Sequence, residues 1–207
     1  MRATLVVLCG GAASRLGHRL KGLMEVCGAP IVRRVVEELS PLVKEVVVSV
    51  KCRRQVNALS KALEGLNVRF VVDRLREHAP IVGLVSALSE ASSEVVAVAP
   101  SDAPFLRRGM YRRMMELLEG FDAVVPSWGD GRLEPLVAVY RRERALKAFE
   151  EELSGTLRLG LALLRMRIRF VHVMELCDDP EVAFMNINSE EDYERALRLC
   201  SRTHYIT

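Results

Sequence analysis

Along this chain, short continuous apolar runs alternate with longer segments whose apolar residues recur every three or four positions. Residues 3–8 (A-T-L-V-V-L) form the first such run. A continuous stretch of this kind suits a strand buried on both faces of a parallel sheet. The same pattern predicts strands over 46–50, 68–72, 95–99, 123–126 and 168–173. Helical spacing predicts helices over 30–39, 53–63, 81–88 and 108–118, then over 143–153 and 156–164, these two parted by Ser154-Gly155. Pro30 suits the first turn of its helix, and Ser189 is placed to cap a last helix with Glu190, Glu191 and Asp192 in its first turn. Residues 134–140 follow the strand at 123–126 across a Trp128-Gly129-Asp130-Gly131 turn. That connection is too short for a crossover, so this strand is expected to run antiparallel.

Strands alternating with helices imply an α/β sandwich with a mostly parallel central sheet covered on both faces and one antiparallel strand. Ligands of such sheets bind beyond the carboxyl ends of the strands. The segments after Leu8, Val72 and Ala99 lie at such ends and should converge on one crevice. With 207 residues and 50% hydrophobic content, the chain suits a single domain over 1–207, without repeats or low-complexity linkers. No apolar stretch approaches the length of a membrane span. The amino-terminal run leads straight into a glycine loop and reads as a buried strand, not a signal peptide. A cytoplasmic protein is expected.

Charge narrows the partners. The 30 basic and 27 acidic side chains leave a net charge of +3, and only 5% of residues are aromatic. Neither value suits a nucleic-acid binder. The five cysteines, Cys9, Cys27, Cys52, Cys177 and Cys200, are scattered without a C-x-x-C pair. No zinc site or disulfide framework is expected from them, and Cys9 reads as a small buried filler.

The most informative segment is 8–21, L-C-G-G-A-A-S-R-L-G-H-R-L-K. Gly10 and Gly11 let backbone N–H groups approach a ligand without an intervening Cβ. Arg15 and Lys21 add two cations, and together these make a cradle for a polyphosphate. Gly17 is followed by His18, so this is not a Walker A loop, and the glycines at 10, 11 and 17 do not fit G-x-G-x-x-G. A hydride-transferring oxidoreductase is thereby excluded. Ser14 reads as a helix cap and His18 as an ordinary loop residue.

Two further stretches carry chemistry. In P-S-D-A-P-F-L, residues 100–106, Asp102 is held between prolines just past a buried strand, as a Mg²⁺-binding carboxylate would be. In F-M-N-I-N-S-E-E-D-Y, residues 184–193, Asn186 and Asn188 share one face of an extended segment and are candidates for an acceptor or phosphate. Asp73 can accept from a ribose or base edge, or cap its own turn. Lys51 either faces the same crevice or is solvated. Trp128, Arg132 and Glu134 either contact the acceptor or form a turn with an exposed aromatic.

Segment 8–21 resembles the nucleotidyltransferase signature L-[AC]-G-G-x-x-S-R-[ML]-G-x-x-x-K. Together with 71–73, 80–83, 100–106 and 184–193, the chain resembles the molybdenum cofactor guanylyltransferase family over nearly its whole length. The resemblance implies a Rossmann-like three-layer sandwich of the nucleotide-diphospho-sugar transferase type. It implies transfer of GMP from Mg·GTP to the phosphate of molybdopterin, releasing pyrophosphate. By the same resemblance, Leu8, Cys9 and Gly10 match the segment whose backbone reads guanine, Lys21 the phosphate-binding lysine, Asp73 a nucleotide-contacting acid and Asp102 the magnesium ligand. Lys51 stands where relatives carry asparagine, Leu20 where they often carry aspartate, and Ala79 where a glycine is usual. The acceptor region, 128–136, keeps only Pro135 of the usual His-Pro-Thr. Adenosylcobinamide phosphate, phospholactate or a sugar phosphate remain alternative acceptors. A non-catalytic GTP-binding module is the alternative of a different class, and a molybdenum-insertion enzyme is a candidate protein partner.

Overall fold

The computed structural model describes residues 3–10, 12, 13, 19–75, 77 and 79–203. A seven-stranded sheet in the order β11-β9-β10-β8-β1-β6-β7 forms its middle layer. The strands are β1 (Ala3–Leu8), β6 (Glu45–Val50), β7 (Arg69–Val72), β8 (Val95–Pro100), β9 (Ala123–Ser127), β10 (Ala138–Arg141) and β11 (Ile168–His172). β8, β1, β6 and β7 pair in parallel, as do β9 and β11. β10 alone runs antiparallel, pairing with both β8 and β9. The expected sheet class and the odd strand are both present. β10 starts later than predicted because Glu134–Val137 closes as a turn, with the Val137 N–H donating to the Glu134 carbonyl at 3.0 Å.

Successive residues of a strand point to opposite faces, and the core divides accordingly. Leu5 and Val7 of β1 pack with α1 (Ile31–Leu39), α4 (Arg108–Glu116) and Ala196 of α8 (Glu190–Thr203). Val6 packs with α3 (Pro80–Glu90), α5 (Arg142–Leu153) and α6 (Leu159–Leu163) on the other face. α2 (Arg53–Ala62) adds Leu59 to the first layer. The predicted helix over 156–164 shrinks to α6, because the Thr156 N–H donates to the Glu152 carboxylate at 3.2 Å and Leu157 turns to φ 60°. A single short turn, α7 (Pro180–Ala183), precedes the asparagine segment. Among the described residues no helix is long and apolar enough to cross a membrane.

The chain order places the crevice. After β1 the chain moves to β6 and β7 on one side, then returns through α3 to β8 on the other side of β1. This reversal beside β1 is where a doubly wound sheet opens for a ligand. In the register, Leu8 lies level with Ser49 and Pro100, and Val50 with Val72. Gly10, Lys51, Asp73 and Asp102 therefore leave the sheet along one edge. Three bonds extend the ladder past the strands and fix the departing backbones: Cys9 N–H to Ser49 O at 2.8 Å, Asp73 N–H to Val50 O at 2.8 Å and Ser101 N–H to Leu8 O at 3.1 Å.

Two small ribbons decorate this edge. β2 (Ala12–Ala13) pairs with β3 (Arg19–Leu20), and β4 (Glu25–Val26) with β5 (Ala29–Pro30). The β4–β5 turn places Cys27 at φ 52° and Gly28 at φ 79°, the backbone of a primed hairpin turn. Contrary to expectation, Cys27 is disulfide-bonded to Cys200 of α8, 173 residues away. No sequence spacing signals a bridge between elements so distant. Outside hyperthermophiles such bonds are rare in reducing compartments. The Tyr193 hydroxyl donates to the Glu25 carbonyl at 3.0 Å, a second tie between α8 and the hairpin.

At the opposite edge of the sheet Glu45 is held by four donors. It accepts from Arg69 at 2.6 Å, from the Ser92 hydroxyl and N–H at 2.8 and 2.9 Å, and from the Thr4 hydroxyl at 2.8 Å. Burial pushes its carboxyl up, but the Arg69 guanidinium and the other donors outweigh this and hold it at about 2. A carboxyl depressed by folding stabilises the native state above its ordinary value and loses that contribution as pH falls through the folded value. Glu45→Gln should therefore cost on the order of 2 kcal/mol at pH 7, with the gap to the parent closing from about pH 4.5 down toward pH 2. Denaturant midpoints measured across that range would expose a misassigned network if the gap stayed constant.

Candidate active site

At the carboxyl edge of β1, β6, β7 and β8 lies a crevice of about 370 Å³. Leu8, Gly10, Lys21, Ser49, Lys51, Asp73, Ala79, Pro80, Gly83, Pro100, Ser101, Asp102 and Leu136 line it. Segments far apart in sequence thus meet, as the strand-end argument requires. Gly11, Ser14, Arg15, Gly17 and His18 lie outside the described residues.

One end of the crevice carries a lysine–carboxylate pair. Lys21 opens a short 3₁₀ turn after β3, and its ammonium donates to Asp102 Oδ2 at 2.9 Å and Asn188 Oδ1 at 2.5 Å. The Asp102 side chain is 20% exposed and that of Lys21 15%, so both are open to the crevice while largely shielded from bulk water. The Asp102 carbonyl accepts from the Ile187 N–H at 2.9 Å. The asparagine segment is thereby pinned directly beneath the loop from β8. Asp192 holds the far end of that segment, accepting from the Asn188 and Ser189 N–H groups at 2.9 Å each, while its own N–H donates to Ser189 Oγ at 3.2 Å. Ser189 caps α8 as predicted, and the return bonds to Asp192 make the cap reciprocal. Burial pushes the Asp192 carboxyl up, and those donors, with the charge of Lys21, bring it below the usual range. Asn188 therefore orients Lys21, whereas Asn186 Oδ1 is buried with no hydrogen-bond partner among the described residues.

The other end carries Asp73, whose side chain is 1% exposed. It accepts from the Ser49 hydroxyl at 2.6 Å and faces Lys51 Nζ at 3.4 Å. Lys51 also donates to the Glu77 carbonyl at 2.5 Å, so it faces the crevice and is not a solvated surface lysine. Glycines make this packing feasible. A Cβ on Gly10 would stand 3.3 Å from the Lys51 side chain, and one on Gly83 would stand 3.0 Å from Ser49 Oγ. Ser49 and Leu136 join the crevice without having been singled out in the sequence. The available signal for Ser49 was its isolation as one hydroxyl in the apolar run V-V-V-S-V.

Cys9 is buried, as expected of a filler. Burial pushes its thiol up to about 12, the charge of Asp102 adds to this, and a hydrogen bond with Ser101 opposes it. A thiol so protonated is no nucleophile at neutral pH. Trp128, Arg132 and Glu134 form a cluster of their own and are not among the crevice-lining residues. The indole N–H donates to Glu134 at 2.8 Å, Arg132 stacks 4.6 Å from the ring centre, and Phe184 meets the ring edge-on at 5.8 Å. The half-buried indole is packed, not exposed as the turn alone suggested.

The donor set admits a divalent ion. Among the described residues no three His, Cys, Asp or Glu side chains cluster to form a dedicated metal cage. Of the two carboxylates lining the crevice, Asp102 is the more open, and Mg²⁺ uses one or two carboxylates when ligand phosphates complete its shell.

Comparison with known proteins adds to this geometry. Residues 5–166 match the family described as MobA-like NTP transferase domain. A probable molybdenum cofactor guanylyltransferase of Methanosarcina acetivorans is 36% identical over 198 residues, covering 91% of this chain and 87% of that protein. One from Pelotomaculum thermopropionicum is 33% identical, covering 95% and 92%. The crystal structure of molybdopterin-guanine dinucleotide biosynthesis protein A from Archaeoglobus fulgidus superposes with a TM-score of 0.80 at 27% identity, covering 96% and 99% of the two chains.

Proposed function

The chain belongs to the molybdenum cofactor guanylyltransferase family of MobA-like NTP transferases, and on that premise we propose that it transfers GMP from Mg·GTP to the phosphate of molybdopterin, releasing pyrophosphate. It is a nucleotidyltransferase; the donor, the metal and the acceptor are the proposed part. The observation that carries the reading is the meeting of Lys21 and Asp102, 81 residues apart, at 2.9 Å in the crevice. We extend the catalytic domain over the whole of 1–207, because Asn188, beyond the matched region, holds Lys21.

The residues divide the work. Phosphoryl-type transfer needs charge stabilisation and alignment more than covalent help. Lys21 neutralises phosphate oxygens, and Asn188 aims its ammonium. Asp102 holds the metal, which when bound polarises the α-phosphorus and screens the entering phosphate from the triphosphate charge. Leu8, Cys9 and Gly10 present backbone to the base, while Asp73, Lys51 and Ser49 form the polar floor against the nucleoside. Gly11 and Arg15 complete the phosphate cradle in this reading. The entering acceptor phosphate is already ionised at neutral pH, so no general base is required. Lys51 favours guanine by offering its ammonium to O6, and the buried Asp73 carboxylate holds that ammonium in place.

A magnesium-dependent binding comparison of GTP, CTP, ATP and UTP tests the base assignment. GTP should bind about tenfold or more tightly than the others, as a charge-assisted contact to the base warrants. Equal affinities, or a preference for CTP, would defeat the assignment. Pyrophosphate release on adding molybdopterin, and not adenosylcobinamide phosphate, tests the acceptor.

A further inference from the structure

A second cavity, of about 240 Å³, shares no lining residue with the transfer crevice. Ala29 of β5 and Pro104 and Leu106 of the loop leaving β8 form its apolar wall. The rest is charge from α1 and the start of α4. Its acids are already engaged: Glu37 accepts from Arg33 Nε at 2.7 Å, and Glu38 accepts from the Arg108 N–H at 2.9 Å and its Nε at 3.4 Å. Arg34 and Arg107 are left over. Among the described residues neither guanidinium takes part in an ion pair. Arg34 Nε is buried and has no hydrogen-bond partner there. Burial and the nearby charge of Arg107 both hold the Arg34 guanidinium below its usual range, against the pull of Glu37 and Glu38.

Two like charges line one cavity, neither with an ion-pair partner among the described residues, and one of them carries a buried Nε without an acceptor. Such a donor is costly to leave unpaired. The chemistry that suits two such guanidiniums is an anion, and guanidinium forks match phosphate oxygens. A carboxylate would offset one of the two charges, whereas a phosphate dianion offsets both. We propose that Arg34 and Arg107 form a phosphate-type oxyanion site separate from the transfer crevice. Its ligand is inorganic phosphate or the phosphate of a small metabolite. The site stands whether or not the acceptor of the transfer reaction is molybdopterin.

Calorimetric titration of inorganic phosphate into the full chain tests this, using the parent, Arg107→Gln, Arg34→Gln and Lys21→Ala. Both arginine variants should weaken binding about tenfold or more, the loss of one charge-assisted fork. Lys21→Ala removes only phosphate held in the crevice and should leave the second binding event in place. Arg107 is exposed, so its variant is expected to fold and to keep the parent's transfer rate without added phosphate; it carries the test should Arg34→Gln misfold. Potassium chloride at matched ionic strength identifies unspecific charge screening. Parent-like phosphate affinity in Arg107→Gln, or binding abolished by Lys21→Ala alone, or no saturable binding, overturns the proposal. A phosphomonoester that binds as inorganic phosphate does would identify the metabolite source; exclusion of the ester would leave the free ion as ligand.

Discussion

Asp102→Ala is expected to lower the transfer rate by at least about a thousandfold, some 4 kcal/mol of transition-state stabilisation, while the fold persists. The activity loss follows from removing the one carboxylate that faces the crevice beside Lys21. The persistence of the fold follows from the backbone. The Asp102 carbonyl keeps its bond from the Ile187 N–H, and the Ser101 N–H keeps its bond to Leu8. Lys21 retains Asn188 as a partner. A partly exposed ion pair contributes only about 1 kcal/mol, so the melting temperature should move by no more than a few degrees. Asp102→Asn preserves shape and removes charge, and should be nearly as inactive. Full activity of either variant with magnesium present would mean that another group holds the metal.

Opening the Cys27–Cys200 bridge should cost the most stability of any single covalent change. Closing a loop of 173 residues removes chain entropy from the unfolded state worth about 5 kcal/mol in the entropic account. Denaturant unfolding with and without reductant, and of Cys200→Ser, should show a lower midpoint. The consequence extends to the crevice, because α8 begins two residues after Asn188 and is tied to the β4–β5 hairpin by this bond and by Tyr193. Loosening α8 should raise the KM for the nucleotide more than it lowers kcat. Identical midpoints with and without reductant would show that the bridge does not form in the purified protein. The cytoplasmic setting expected from the sequence would require that the bond resist thiol reductants.

Much of this architecture was legible in the chain because its signals are strong and local. Continuous apolar runs located the buried strands, with β1 found at its observed bounds, 3–8. The short link before β10 foretold its reversal. The glycine loop after β1 and the loop carrying Asp102 could be placed in one crevice in advance because both leave strand ends on one edge. What escaped notice depended on tertiary contact. The two-residue strands β2 to β5 are too short to imprint a period. Ser49 looks like one more strand residue until Asp73 is placed opposite its hydroxyl at 2.6 Å. Lys51 becomes a crevice residue only through Asp73 and the Glu77 carbonyl. The cysteine pair is invisible to any spacing rule, since it joins a turn near the start to a helix near the end.

That pairing closes residues 27–200 into a covalent ring, with β1 and Lys21 outside it. A single peptide-bond cut in any loop between Cys27 and Cys200 yields two pieces that still travel together until a thiol releases them. Nicked molecules of this protein therefore keep their parts at hand for reassembly, a form of damage tolerance set by connectivity alone.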